Sequence, residues 1–257
     1  MKQIQSRDNP QLKQLRRLAT SSRERRNASA TLIDGIHLYR SALEAGVRPR
    51  QTIVAERALH HPEIAALLTG PGDVLLLGDA LFDELSPSDT PTGLLGLIDI
   101  PPPPDTPVRG DCLVLDAVQD SGNLGTLLRA AWAVGVRDVL LTTGCAQAWS
   151  PKVLRAGQGA HFGLDIREHC DVAAALADHA GKIVATRLDA RESLYALDLR
   201  GPVAWLFGNE GAGLSPALSA LATHPVIIPM PGAAESLNVA MAATVCLFEQ
   251  ARQRAGA

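Results

Sequence analysis

Short apolar runs recur along the chain, separated by stretches with helical spacing. Before residue 100, TLIDG, QTIVAE, DVLLLG and GLLGLIDI have the length and β-branched content of strands, while HLYRSALEAG, PEIAALLTG and ALFDEL space their apolar residues as helices do. This alternation predicts a small α/β unit over residues 1–100, with a basic helical arm in front. IPPPPDTPVRG follows, and its consecutive prolines fit neither a helix nor a central strand, so residues 101–107 read as a stiff spacer. From residue 108 to 257 the alternation is cleaner. CLVLDAV, RDVLLTT, KIVATRL, PVAWLFG and PVIIPM read as strands. A helix ending at Gly135, a short one in SPKVLRAGQGA, DVAAALADHAG, SPALSAL with Ser215 as cap, and SLNVAMAATVCLFEQARQR read as helices. Near-continuous apolar strands between helices predict a parallel sheet covered on both faces.

The 257 residues are enough for one large or two modest cores, and 46% hydrophobic content is globular usage. MKQIQSRDNPQLKQ lacks the apolar core of a signal peptide, and no run reaches the roughly 20 apolar residues of a membrane span. A cytoplasmic protein without a membrane partner is expected. Cys112, Cys145, Cys170 and Cys246 are scattered with no C-x-x-C pair, which favours free thiols over disulfides or a metal site. Net charge is −3, but residues 1–50 hold eleven Lys and Arg against four Asp and Glu, a local +7. Such a run is either a solvated helix face or an electrostatic footprint for phosphates.

In open α/β sheets, ligands sit beyond the carboxyl ends of the strands. Three polar, glycine-bearing loops fall there: DSGNLG after CLVLDAV, GNEGAGL after PVAWLF, and PGAAESLN after PVIIPM. They concentrate Asn123, Arg129, Asn209, Glu210, Ser236 and Asn238 among apolar segments. Structural readings compete at each position. Arg129 could pair with Glu210 or Asp116, Asn123 could cap its helix, and Glu235 and Ser236 could cap the last one. The GNLGTLL turn lacks the third glycine of a dinucleotide fingerprint, and no P-loop or nucleophile elbow occurs.

Taken together and in order, DAVQDSGNLGTLLRAAWAVGV, LFGNEGAGLS and IIPMPGAAESLNVAMAATVCLFE closely resemble the three motifs of the SpoU (TrmH-like) branch of the SPOUT RNA methyltransferases. SPKVLRAGQGAHF also resembles that branch. SRDNPQLKQLRRLA followed by LIDGIHLYRSALEAG is similar to the L30e-like RNA-binding domain that precedes many of these enzymes. Ser121 stands where proline is common and Asp34 where glutamate is usual.

The resemblance implies an α/β protein: a C-terminal parallel-sheet SPOUT domain with a deep trefoil knot, preceded by a smaller L30e-like α/β domain. It implies a homodimer with active-site parts from both chains. The implied reaction is S-adenosyl-L-methionine-dependent methylation of a ribose 2′-hydroxyl, with the N-terminal domain pointing to 23S rRNA. A tRNA target, a ring-nitrogen acceptor and a non-catalytic RNA-binding factor on the same fold are the alternatives. No metal is required. By resemblance, Gly208, Ile228 and Leu237, with Asn209, Met230 and Thr186, line the cofactor pocket. Arg129 is the central catalytic arginine. A guanidinium stays protonated under ordinary conditions, so a bidentate grip on an RNA phosphate is physically easier for it than proton abstraction. Asn123, Glu210, Ser236 and Asn238 would orient it and the hydroxyl. Lys13, Arg16, Arg17, Arg23, Arg25 and Arg26 are the candidate RNA phosphate contacts.

Overall fold

Every apolar run expected as a strand forms one. The computed structural model describes residues 1–68, 73–88 and 90–256, and the chain divides into two compact units. The first comprises Met1–Pro102 together with Trp149–Phe162, the second Pro103–Ala148 with Gly163–Ala257.

In the first unit, β1 (Lys2–Ile4) leads into α1 (Pro10–Thr20) and α2 (Ser22–Ala28). Then come β2 (Ala30–Asp34), α3 (Ile36–Glu44), β3 (Gln51–Ala55), α4 (Pro62–Leu67), β4 (Asp73–Leu77), α5 (Asp79–Asp83) and β5 (Leu94–Asp99). The expected helix over PEIAALLTG ends at Leu67, and its last two positions lie outside the described residues. The sheet order is β1-β4-β3-β5-β2, with β5 antiparallel to both neighbours. Asn9 caps α1 by accepting from the Gln11 and Leu12 amides, and Leu12, Leu15 and Leu18 form its buried stripe.

A segment expected in the C-terminal domain packs with this first unit. It holds α7 (Pro151–Gly157), capped by Ser150 and burying Val153 and Leu154. The buried Thr31 hydroxyl donates to the Trp149 carbonyl at 2.6 Å, and Arg155 reaches Asp34 at 3.4 Å.

The second unit runs β6 (Cys112–Leu115), α6 (Ser121–Ala133) and β7 (Asp138–Leu141), and resumes after α7 at β8 (Asp165–Arg167). It continues through α8 (Val172–Ala175), β9 (Lys182–Thr186), β10 (Glu192–Ser193) and β11 (Val203–Phe207) to α9 (Pro216–Leu221), β12 (His224–Ile227) and α10 (Val239–Ala255). Its sheet is fully parallel, in the order β10-β12-β9-β11-β6-β7-β8. The chain builds outward from β6 through β7 to β8, then returns to lay down β9 and β11 on the other side. The topological switch therefore lies between β6 and β11, where Phe207 is in register with Leu115.

Helix ends differ from expectation in three places. The Gly-Asn-x-Gly stretch is not a turn before α6 but its first turn, because Asp120 caps the helix through the Asn123 amide at 2.7 Å. The last helix starts at Val239, capped by Asn238, so Glu235 and Ser236 are not its caps. The helix in DVAAALADHAG stops at Ala175. There the His179 ring meets the Gly110 carbonyl at 3.0 Å, and the chain turns back toward β9.

Candidate active site

The loops after β6, β11 and β12 meet at the switch point. Asp116, buried at the end of β6, receives the Thr142 hydroxyl at 2.9 Å and the Ser215 amide at 2.7 Å, which draws the β11 loop against the β6 loop. Ser215 then caps α9, as its sequence position suggests. Asn209 closes its own loop: its backbone exchanges two hydrogen bonds with Gly213, and its side-chain oxygen accepts from the Gly211 and Ala212 amides at 3.0 Å each. Its Nδ2 donates to the Ala117 carbonyl at 2.8 Å, a second tie to the β6 loop. Gly208 has to be glycine. A Cβ there would sit 2.1 Å from the backbone carbon of Gly213 and 2.2 Å from the Leu214 nitrogen, which no rotamer change relieves.

One hydrogen-bonded chain links all three loops. Glu210 accepts from Asn123 Nδ2 at 3.0 Å and from the Asp120 and Gln119 amides at 3.2 and 3.4 Å. Asn123 Oδ1 accepts from Asn238 Nδ2 at 2.9 Å. Asn238 Oδ1 accepts from the Ala240 and Met241 amides, which is the cap of α10. Both asparagine amides thus have one assignment that satisfies donor and acceptor ends together. Burial pushes the Glu210 carboxyl up, but the Asn123 amide and the backbone N–H groups outweigh it, so the group lies below its ordinary value. Glu210 is therefore an anion at neutral pH, engaged as an acceptor.

Beside this chain opens a cavity of about 420 Å³, within the roughly 300–1,000 Å³ of small-molecule sites. All six residues expected to hold the cofactor line it: Thr186, Gly208, Asn209, Ile228, Met230 and Leu237. Glu210, Ser236 and Asn238 from the catalytic set line it too. Asn123 joins through its two hydrogen bonds. Arg129 is not among the lining residues. It stands exposed on α6, and neither Glu210 nor Asp116 pairs with it; among the described residues it has no ion pair. Sequence reading missed Arg187, Leu188 and Leu214, which line the cavity as well. Arg187 directly follows Thr186, and that adjacency was the available signal.

The six candidate phosphate contacts of the first unit sort into three groups. Arg25 is buried and donates to the Leu18 carbonyl at 2.7 Å and to that of Ala19 at 3.3 Å. Burial removes it from the phosphate-contact set, because its guanidinium closes the α1–α2 corner instead. Lys13 pairs with Asp8, and Arg16 with Glu84. Arg17, Arg23 and Arg26 are exposed and have no ion pair among the described residues.

Residues 111–248 match the SpoU rRNA Methylase family, and residues 9–96 match the MRM3-like substrate binding domain. The chain belongs to the SpoU rRNA methylase family. The 23S rRNA (guanosine(2553)-2′-O)-methyltransferase RlmP of Bacillus subtilis is 32% identical, with 96% of this chain and 98% of that protein aligned. An uncharacterized tRNA/rRNA methyltransferase of Synechocystis is also 32% identical, over 98% of this chain and 94% of its own length. Among solved structures, an RNA 2′-O ribose methyltransferase superposes with a TM-score of 0.85 at 34% identity, covering 98% of this chain and 99% of that one. The SpoU methyltransferase AviRb from Streptomyces viridochromogenes, in complex with AdoMet, superposes with a TM-score of 0.84 at 28% identity, covering 97% and 100%. The α/β fold expected from the sequence is thus the fold of SpoU methyltransferases.

Proposed function

We propose that this SpoU methylase transfers the methyl group of S-adenosyl-L-methionine to a ribose 2′-hydroxyl of 23S rRNA. The observation that carries this reading is the Glu210–Asn123–Asn238 chain, which ties three strand-end loops around one cavity. RlmP and the AdoMet-bound AviRb, similar along nearly their whole lengths, support the acceptor class and the cofactor.

The cavity suits the cofactor. Gly208 lets its loop close tightly on the Gly213–Leu214 backbone and so shapes the cavity wall, while Ile228, Leu237 and Leu214 offer apolar walls for an adenosine. When bound, the cofactor supplies an already electrophilic methyl group. The chain's task is then alignment and proton management at the hydroxyl oxygen. Asn123 and Asn238 hold fixed amides at the cavity edge, and the Glu210 anion fixes Asn123 in turn. Arg129 grips the phosphate beside the target ribose through its guanidinium fork.

The active unit of this reading is a homodimer in which Arg129 serves a site completed by the second copy. Met241 and Phe248, seven residues apart on α10, are 60% and 51% exposed, and Leu237 is 40% exposed. An apolar helix stripe beside the cavity suits a second copy of the chain. The trefoil knot of the family belongs to this reading, with residues 228–238 as part of the threaded segment. Arg17, Arg23 and Arg26 supply RNA phosphate contacts, and the cytoplasm is the compartment.

The direct test is transfer of labelled methyl from S-adenosylmethionine to 23S rRNA fragments. Wild type is expected to label them, and Arg129→Ala to lose nearly all turnover while keeping cofactor affinity within a few-fold. Unchanged turnover in that variant would remove Arg129 from the chemistry. Label found on tRNA alone would reassign the substrate.

A further inference from the structure

Among the described residues lining the cavity, Arg187 is the only cation and Glu210 the only carboxylate. Glu210 is fully engaged by Asn123 and by the Gln119 and Asp120 amides. Arg187 is held differently. It follows directly on β9, its amide donating to the Val226 carbonyl of β12 at 2.9 Å. Nε and Nη2 donate to the two oxygens of Asp189 at 2.9 and 2.7 Å, while Nη1 makes only a long contact of 3.4 Å with the Ser219 hydroxyl.

A guanidinium offers two edges that can each take a carboxylate through paired hydrogen bonds. Asp189 occupies the Nε–Nη2 edge. The Nη1–Nη2 edge carries nothing but the long Ser219 contact. The Arg187 and Asp189 side chains are 41% and 70% exposed, so the pair sits where an entering molecule can reach it. Asp189 thus orients the guanidinium and leaves one binding edge available.

S-adenosylmethionine carries a sulfonium, an α-ammonium and an α-carboxylate, and the carboxylate is its only anion. A cavity with a single cation distinguishes the two ends of such a molecule. We propose that Arg187, oriented by Asp189, receives the α-carboxylate of the cofactor's methionine end on its Nη1–Nη2 edge. Arg187 is then the residue that selects a nucleoside bearing an amino-acid tail over the same nucleoside without one. This assignment rests on the cavity being the S-adenosylmethionine site.

Calorimetric titration of the full chain separates the two ideas. The ligands are S-adenosylmethionine, S-adenosylhomocysteine and 5′-methylthioadenosine, which keeps the adenosine and thioether but lacks the amino-acid end. Arg187→Ala is expected to weaken the first two by roughly tenfold or more, the loss of a charge-assisted contact, and to leave 5′-methylthioadenosine unchanged. Arg187→Lys should recover part of the loss. Asp189→Ala, which keeps the cation but frees it, should weaken the tailed ligands by a few-fold only. Wild-type affinity for S-adenosylmethionine in Arg187→Ala would overturn the assignment and leave the proposed activity intact. Equal losses for tailed and tailless ligands would also overturn it, by making Arg187 a support of the cavity wall. A wild-type chain that binds none of the three would overturn the reading of the cavity and the assignment with it.

Discussion

Asn123 uses both ends of its amide, donating to Glu210 and accepting from Asn238, so its removal cuts the side-chain link between the β11 and β12 loops. Asn123→Ala is expected to cost about 0.5–1.5 kcal/mol of stability and to depress turnover more strongly, read by denaturant unfolding beside an activity assay. Gly208 is the stricter position, since any side chain meets backbone on the opposite limb of its loop. Gly208→Ala should abolish S-adenosylmethionine binding measured by calorimetry; retained affinity would mean that the loop can open without losing the cavity. Glu210 adds a pH signature. Its folded-state pKa lies below the ordinary 4.5, so its stabilising effect is complete above that value and fades as pH falls through the depressed one. Melting temperatures of wild type and Glu210→Gln should therefore diverge above about pH 4.5 and converge below it; a constant gap would contradict the network. Much of this residue set was legible in advance, because polar side chains in otherwise apolar strand-end segments are conspicuous. Arg25 was not. A basic run looks uniform in sequence, and only the α1–α2 corner singles out the arginine that turns inward to two carbonyls.

At the scale of elements, α10 is held on the sheet by a polar chain through the core. The indole of Trp205, fully buried on β11, donates to Gln250 at 2.8 Å, and Gln250 donates to Asp111 at 3.0 Å. Asp111 also accepts the Val203 amide at 2.9 Å and pairs with Arg254. Gln250→Leu strands the indole N–H and should cost about 1–3 kcal/mol, measurable as a lowered unfolding midpoint. In the first unit, Leu154→Ala in α7 should cost about 2–5 kcal/mol, because that side chain is fully buried in the segment laid against β2. Strands were readable from apolar runs, yet helix limits were not. Asp120 and Asn123 both suit an N-cap, and the sequence holds no preference between them. The structure gives the cap to Asp120, and this frees Asn123 to reach Glu210. Past α8, long-range packing dictates the residue type: at Gly181 the chain runs so close to Pro202 that a Cβ would lie 2.1 Å from its carbonyl oxygen.

For the molecule as a whole, the parallel sheet puts β6 and β11 side by side although 87 residues separate the end of one from the start of the other (203 minus 116). Periodicity reports each strand but not its neighbours, so the sequence placed the three loops at the carboxyl ends of strands while the strand order that brings them together is a property of the folded sheet. The assignment of Trp149–Phe162 to the first unit was hidden for the same reason. The cysteines fit a chain that keeps its thiols unreactive. All four are free; burial pushes Cys112 up to about 12 and raises Cys145, Cys170 and Cys246 as well. Thiol reagents at neutral pH should label the native protein slowly and the unfolded one fully, and rapid labelling of Cys112 in the native state would contradict its burial. Methylation of the ribose hydroxyl is read most sharply on two 23S rRNA fragments that differ only at the methylated nucleotide, one carrying ribose and the other 2′-deoxyribose. Methyl transfer from S-adenosylmethionine should occur on the first and vanish on the second. Equal transfer to both would show that the acceptor is not the sugar hydroxyl.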